Sequence, residues 1–312
     1  MATSWTGRPL SPLLLDLIRS PETGARLKQD GDALVATGER FPVAQGFPVF
    51  IPGAIGKGQT SPAETQIIDA FALRGRSYFD DNYGRLAADG SDRRQRQAVV
   101  SRLLETTIKP GHLVLEAGAG PAVLGEEVQR LGGRHVAVDL SHQNLLAGRD
   151  RVGELDGIVA NLVNLPLASG RFDLVTAIGC LEYVPQMRRA INELVRVSAI
   201  GAPLIASFAN RNSPRRWWDE LLVIPVSRVK RRAGGGDDSG YGRSLVTESA
   251  VASMMARSEA KPCQVHWLNG GFLGYPLSEM SRIRTFERWL HTQGEFFRKA
   301  ASEFVVVARR VR

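Results

Sequence analysis

The chain has 312 residues, 43% of them hydrophobic and 23% charged, which excludes a wholly disordered or fibrous protein and suits one large α/β domain with a small appendage or two modest domains. No apolar run approaches the ~18 residues of a membrane span, the N-terminal apolar stretch is too short for a secretory signal, and Cys180 and Cys263 cannot supply a disulfide framework or a four-thiolate zinc site, so a cytoplasmic protein is expected. The net charge of +8 sits entirely in residues 211–312, because residues 1–210 carry 22 basic and 22 acidic side chains; it reads either as a basic surface attractive to anions or, with 34 Arg against 6 Lys, as solvated faces.

Residues 9–52 pattern as a compact unit. The run LLLDLI predicts a short helix, Ser20-Pro21-Glu22-Thr23-Gly24 a turn, and ALVAT, FPVAQG and FPVFIP short β segments punctuated by Gly and Pro. The unit resembles the small zinc-ribbon (Trm112-like) domain found at the N-terminus of several methyltransferases. In that family the turn reads Cys-Pro-x-Cys-Gly, whereas here Ser20 and Thr23 hold the thiolate positions. Hydroxyls are poor zinc ligands, so no metal is expected and apolar packing has to take over its stabilising work.

Residues 53–62 are a linker by composition, and 63–109 read as helices, with Tyr83 in a polar-aromatic stretch between them. From 112 to 209, the apolar runs HLVLEAG, RHVAVDL, DGIVAN, FDLVTAIG and APLIASFAN alternate with helical patterns. That alternation predicts an α/β fold, a doubly wound parallel sheet with helices on both faces. The segment 211–246 is basic and aromatic and passes through AGGGDDSG; it suits a lid over a substrate. A helix near 247–258, the strand PCQVHWL and the strand EFVVVARR complete the chain.

The segment VLEAGAGPA (114–122) carries the strongest chemical signal. A strand delivers Glu116, and Gly118-Ala119-Gly120 lets backbone approach a ligand where a Cβ would obstruct it. Val123 stands where a dinucleotide fingerprint needs Gly or Ala, and that fingerprint has no use for a carboxylate inside the strand. Acidic-x-Gly-x-Gly instead resembles the first motif of class I S-adenosylmethionine (AdoMet)-dependent methyltransferases. Asp139 ends the next strand, at the spacing of one strand–helix–strand unit. The stretches GIVANLVNLPLASGRFDLV and VTAIGCLEYVPQ resemble two later motifs of the same family, with Asn161 in place of an Asp and Tyr183 in place of a His.

The resemblance implies a seven-stranded, mostly parallel sheet over residues 63–312 and AdoMet as cofactor. It implies cofactor contacts from Glu116, Ala117, Gly118 and Gly120, from Asp139 and Leu140 at the ribose, from Asn161 and Leu162 at the adenine, and from Gly179 and Cys180. Tyr183 and His266 are the candidate catalytic residues, and Tyr83, Arg215, Trp217 and Tyr241 the candidate acceptor contacts. No Asp/Asn-Pro-Pro-Tyr follows the fourth strand, and Cys263 lacks the surroundings of a cytosine-C5 nucleophile. His112 and His135 are expected at the surface. The expected activity is methyl transfer to an O, N or C atom of a small molecule, anionic or aromatic, in biosynthesis of a specialised metabolite. RNA methylation and a non-catalytic AdoMet-fold partner subunit are the alternatives. Neither nucleic acid nor membrane is expected as a partner, and a homodimer is compatible with the chain.

Overall fold

The computed structural model describes residues 9–51, 90–214, 244–268 and 299–312, together with Trp289 and Gly294. The N-terminal unit opens with α1 (Pro12–Leu17). Ser11 caps this helix by accepting the Leu14 N–H, and proline in the first turn forfeits no hydrogen bond there. A four-stranded antiparallel sheet follows in sequence order: β1 (Lys28–Asp30), β2 (Ala33–Ala36), β3 (Glu39–Ala44) and β4 (Phe47–Pro48).

The seven-stranded sheet has the order β10-β11-β9-β8-β5-β6-β7. Its members are β5 (Leu113–Ala117), β6 (Arg134–Asp139), β7 (Asp156–Val159), β8 (Leu174–Ala177), β9 (Pro203–Ala209), β10 (Ala260–Leu268) and β11 (Glu303–Arg310). The pairs β5/β6, β5/β8, β6/β7 and β8/β9 are parallel, and β11 runs antiparallel between β9 and β10. The described helices are α2 (Gly90–Thr107), α3 (Gly125–Arg130), α4 (His142–Val152), α5 (Met187–Val197) and α6 (Glu248–Arg257). β5 shows why the strands read as continuous apolar runs. Leu113, Leu115 and Ala117 belong to one hydrophobic cluster and Val114 to another, because a parallel sheet is covered on both faces. None of the described helices is long and apolar enough to cross a membrane.

The two sheets are joined directly. Val49 bridges Val159 in parallel, the Phe50 N–H donates to the Val159 carbonyl at 2.9 Å, and Ile18 bridges Leu167. The edge of β7 is thereby covered, which removes a free strand edge. Phe47 reaches over β7 at Gly157, where a Cβ would lie 2.7 Å from the ring. The Arg149 guanidinium sits 5.1 Å from the same ring centroid, and His142 meets it edge-on. Burial of a phenylalanine side chain is worth about 1.5–3 kcal/mol. Leu10, Leu14, Leu17, Ile18, Leu34 and Val43 share one cluster with Val136, Ile158 and Leu167, so the unit's core is continuous with that of the main sheet.

Candidate functional site

The carboxyl end of β5 runs into the turn Gly118-Ala119-Gly120. Gly118 has φ +65°, and a Cβ there would lie 2.4 Å from Cys180 Cβ, so both conformation and packing demand glycine. Gly120 has φ +53°, yet a Cβ there would meet nothing within 4 Å. Its neighbourhood is open, as a backbone surface that receives a ligand has to be. The Ala119 N–H donates to the Val138 carbonyl at 3.0 Å, tying the turn to β6. Gly148 of α4 closes on the turn from behind, where a Cβ would meet Ala122 Cβ at 3.0 Å.

Asp139, at the end of β6, faces this turn and is 8% exposed. Its Oδ2 accepts the Gly120 N–H at 2.7 Å; its Oδ1 accepts the Ser141 N–H at 2.8 Å and the Asn144 amide at 3.2 Å. Burial pushes this carboxyl above the usual aspartate value, and the Ser141, Gly120 and Asn144 donors oppose that shift. Oδ2 retains a second lone pair, able to accept a hydroxyl. Glu116 behaves differently. Its Oε1 accepts the Leu124 N–H at 3.0 Å and its Oε2 lies 2.8 Å from His135 Nε2, so it braces the turn from below. His135 lies within β6 and is 7% exposed, which corrects its expected place at the surface.

Beyond β8, Gly179 (φ +68°) donates its N–H to Ser207 Oγ at 2.8 Å. Cys180 packs under Gly118 with its Sγ 3.3 Å from the Ala117 carbonyl. Burial, followed by the nearby Glu182 carboxylate, pushes the Cys180 thiol well above its ordinary value, so it is no thiolate nucleophile at neutral pH. Arg96 of α2 lies over Gly179, its guanidinium nitrogens 3.2 Å from where a Cβ would stand, and pairs with Glu303 at 2.9 Å. Neither residue was legible as a site residue, because the partners lie 207 positions apart and no local motif joins them. Past β7, Asn161 Oδ1 accepts the Val163 N–H at 3.1 Å, shaping the loop that buries Leu162.

A methyltransferase domain family matches residues 115–206, the interval from β5 into β9. Demethylmenaquinone methyltransferase of Corynebacterium glutamicum (strain R) is 35% identical over 172 residues, which cover 52% of this chain and 73% of that protein. The chain belongs to the AdoMet-dependent methyltransferases. The demethylmenaquinone methyltransferase of Paenarthrobacter aurescens (strain TC1) is 31% identical over 153 residues, and there the chain spans 59% of the relative's length. In fold, the chain is similar to magnesium protoporphyrin IX methyltransferase from Synechocystis PCC 6803 with bound SAH. That likeness has TM-score 0.54 at 16% identity and covers 80% of this chain and 99% of that one.

This methyltransferase uses AdoMet, and the residues present fit it: an open glycine turn, a buried carboxylate with accepting capacity, and loops past β7 and β8. The fold brings Glu116, Ala117, Gly118, Gly120, Asp139, Leu140, Gly179 and Cys180 to the carboxyl ends of β5, β6 and β8, with Asn161 and Leu162 just past β7. Tyr183, half-buried, ends the short helical turn Leu181–Tyr183 that follows Cys180. His266 is not brought to them. It sits on the edge strand β10, four strand spacings or about 19 Å from β5, beside Gln264. Tyr83, Arg215, Trp217 and Tyr241 lie outside the described residues.

A separate cavity of about 360 Å³ lies between Arg19–Gly24 and Asn164–Ser169. Its Arg196 is spent on Glu193, Ser169 and the carbonyls of Leu165 and Leu167.

Proposed function

We propose that the acceptor is a small aromatic molecule of the quinone type, as the names of the demethylmenaquinone methyltransferase relatives suggest, and that the enzyme serves biosynthesis of a specialised metabolite. The observation that carries the cofactor side of this reading is the Gly120–Asp139 hydrogen bond at 2.7 Å. It joins the turn after β5 to the end of β6 beside open space. When bound, AdoMet supplies a methyl group already activated on sulfonium. The chain's own task is to hold the acceptor in line and exclude water. In this reading Asp139 accepts a ribose hydroxyl, Gly118 and Gly120 lie under the amino-acid portion, and Asn161 and Leu162 border the adenine. Tyr183 and Arg96 face the acceptor in this reading, and His266 sits on β10, beside the strand whose Glu303 pairs with Arg96.

The same reading assigns residues 9–52 to a zinc-ribbon-like domain without its cysteines, 53–62 to a linker and 63–312 to the methyltransferase domain; most of the substrate-binding insertion expected at 211–246 lies outside the described residues. Supporting the first assignment, Ser20 and Thr23 stand together and both donate to Glu39, at 2.6 and 3.1 Å. The test is transfer of labelled methyl from AdoMet to a panel of hydroxylated aromatics, quinols and RNA. Product from the aromatics with a salt-insensitive KM supports the reading. Product from RNA alone, with a KM that rises steeply with salt, overturns it.

A further inference from the structure

Beneath the cofactor turn lies a titratable pair, Glu116 with His135, whose side chains are 7% and 2% exposed. Each Glu116 oxygen has one partner, the Leu124 N–H and His135 Nε2. Leu124 is the residue from which α3 starts, so the carboxylate fixes both where β5 ends and where the helix begins. The other ring nitrogen, Nδ1, is buried without a hydrogen-bond partner. It faces Gly125, where a Cβ would lie 3.1 Å from it and equally close to the Val152 side chain. Any residue larger than glycine at 125 would press on the ring.

These contacts determine where the proton sits. An imidazolium would bury a charged N–H against Gly125 and Val152 with no acceptor. A neutral ring protonated on Nδ1 would leave that N–H equally unpaired and require Glu116 to carry the proton that reaches Nε2. Only a neutral ring protonated on Nε2 gives the carboxylate two donors, each bond strengthened by its charge, while leaving no N–H buried and unpaired. We propose that His135 is a positioning residue of the cofactor site: a neutral, Nε2-protonated imidazole that holds Glu116 ionised against the Leu124 N–H and so sets the turn from Gly118 to α3. The proposal rests on the reading that this turn carries AdoMet.

Long-range ¹H–¹⁵N spectra of the free protein labelled with ¹⁵N-histidine separate the two neutral tautomers from imidazolium. The His135 signals are assigned by their loss in His135→Gln. An Nε2–H tautomer at neutral pH is the expected result; an Nδ1–H tautomer or an imidazolium overturns the proposal. Calorimetry with S-adenosylhomocysteine is the second arm. His135→Gln places an amide donor where Nε2 stands and should bind within about threefold of wild type. His135→Leu, with no donor, should bind roughly tenfold more weakly. Wild-type affinity in a folded His135→Leu protein also overturns it. The two readings fail separately: unchanged affinity in Asp139→Ala strikes the cofactor assignment, whereas the wrong tautomer strikes His135.

Discussion

Glu39 in the N-terminal sheet and Glu116 in the main sheet each use two carboxylate oxygens to tie two partners. Glu39 receives Ser20 Oγ and Thr23 Oγ1 at 2.6 and 3.1 Å, fastening the 20–24 turn to the start of β3. Glu116 receives the Leu124 N–H and His135 Nε2, fastening α3 and β6 to β5. The bonding patterns match, but the surroundings do not. Ser20 is buried, but Thr23 is exposed and Glu39 half-buried, so water can take over the Thr23 bond and reach the Glu39 carboxylate. The partners of Glu116 are walled in by the cluster around Val114, Leu124 and Val128. The same ligation pattern is therefore a trim at one site and a keystone at the other, because an unmet hydrogen bond costs little in water and much in a core.

The sharpest way to break this comparison is Glu116→Ala. It leaves the Leu124 N–H and the His135 ring unpaired and opens a void, so unfolding in urea should show a loss of about 3 kcal/mol or more. A loss below about 1 kcal/mol would mean the pair is no keystone. The two glycines above it give the next contrast. Gly118→Ala drives a Cβ into Cys180 at 2.4 Å and should cost both stability and cofactor affinity. Gly120→Ala meets open space, so its stability cost should be only the roughly 1–2 kcal/mol of left-handed backbone, while S-adenosylhomocysteine binding falls because the methyl enters the cradle. Equal stability losses in the two variants would show that contact with Cys180 does not matter.

What was legible in the sequence follows the same division between local and distant partners. VLEAGAG announced its strand and turn because the motif is contiguous, and Asp139 was reachable by counting one strand–helix–strand unit. The glycines of the turn were readable because backbone conformation is a local property. The partners that stabilise these residues were not readable. Nothing near Glu116 points to His135, nothing near Gly157 to the Phe47 ring, and nothing near Arg96 to Glu303, because each pairing is made by chain segments that meet only after folding. His135 was misplaced for that reason: a histidine at the start of a strand reads as exposed until its partner across the sheet is known. Glu39 escaped notice because a single carboxylate 16 residues from Thr23 has no motif spacing.

Asp139 separates the two regions in a third way, through pH. Burial raises its folded-state pKa above 3.8. For the free protein, stability from this group is therefore full below the unfolded value and lost as pH rises through the folded one. Cofactor binding has the opposite sign, since ribose hydroxyls donate to the ionised carboxylate. Affinity should be full above the raised pKa and weaken as pH falls through it, starting at a higher pH than an ordinary aspartate would give. Calorimetry across a pH series checks this, with Asp139→Asn expected to show no such step. At neutral pH, Asp139→Ala should weaken binding by roughly 2–4 kcal/mol. A wild-type pH profile that stays flat would remove Asp139 from the ribose.

The smallest effect belongs to Glu39, and it tests what organises the 20–24 turn of the N-terminal unit. Ser20 Oγ donates to Glu39 and accepts the Glu22 and Thr23 N–H groups at 3.1 and 3.0 Å, so the hydroxyl satisfies the turn without a metal. Around it, Leu14, Leu17, Ile18 and Leu34 are at most 1% exposed, and they merge with the main core. The apolar residues thus hold the unit in place and the polar cluster only trims the turn. Glu39→Ala should cost about 1 kcal/mol, since the exposed Thr23 hydroxyl can turn to solvent while the buried Ser20 hydroxyl loses its acceptor. EDTA should leave Tm unmoved, because a structural zinc would contribute folding energy that chelation removes. A fall in Tm with EDTA, together with one zinc per chain by elemental analysis, would show that the unit holds a structural metal without cysteines. A Glu39→Ala cost near that of Glu116→Ala would make the half-exposed cluster as important as the buried one and undo the contrast between them.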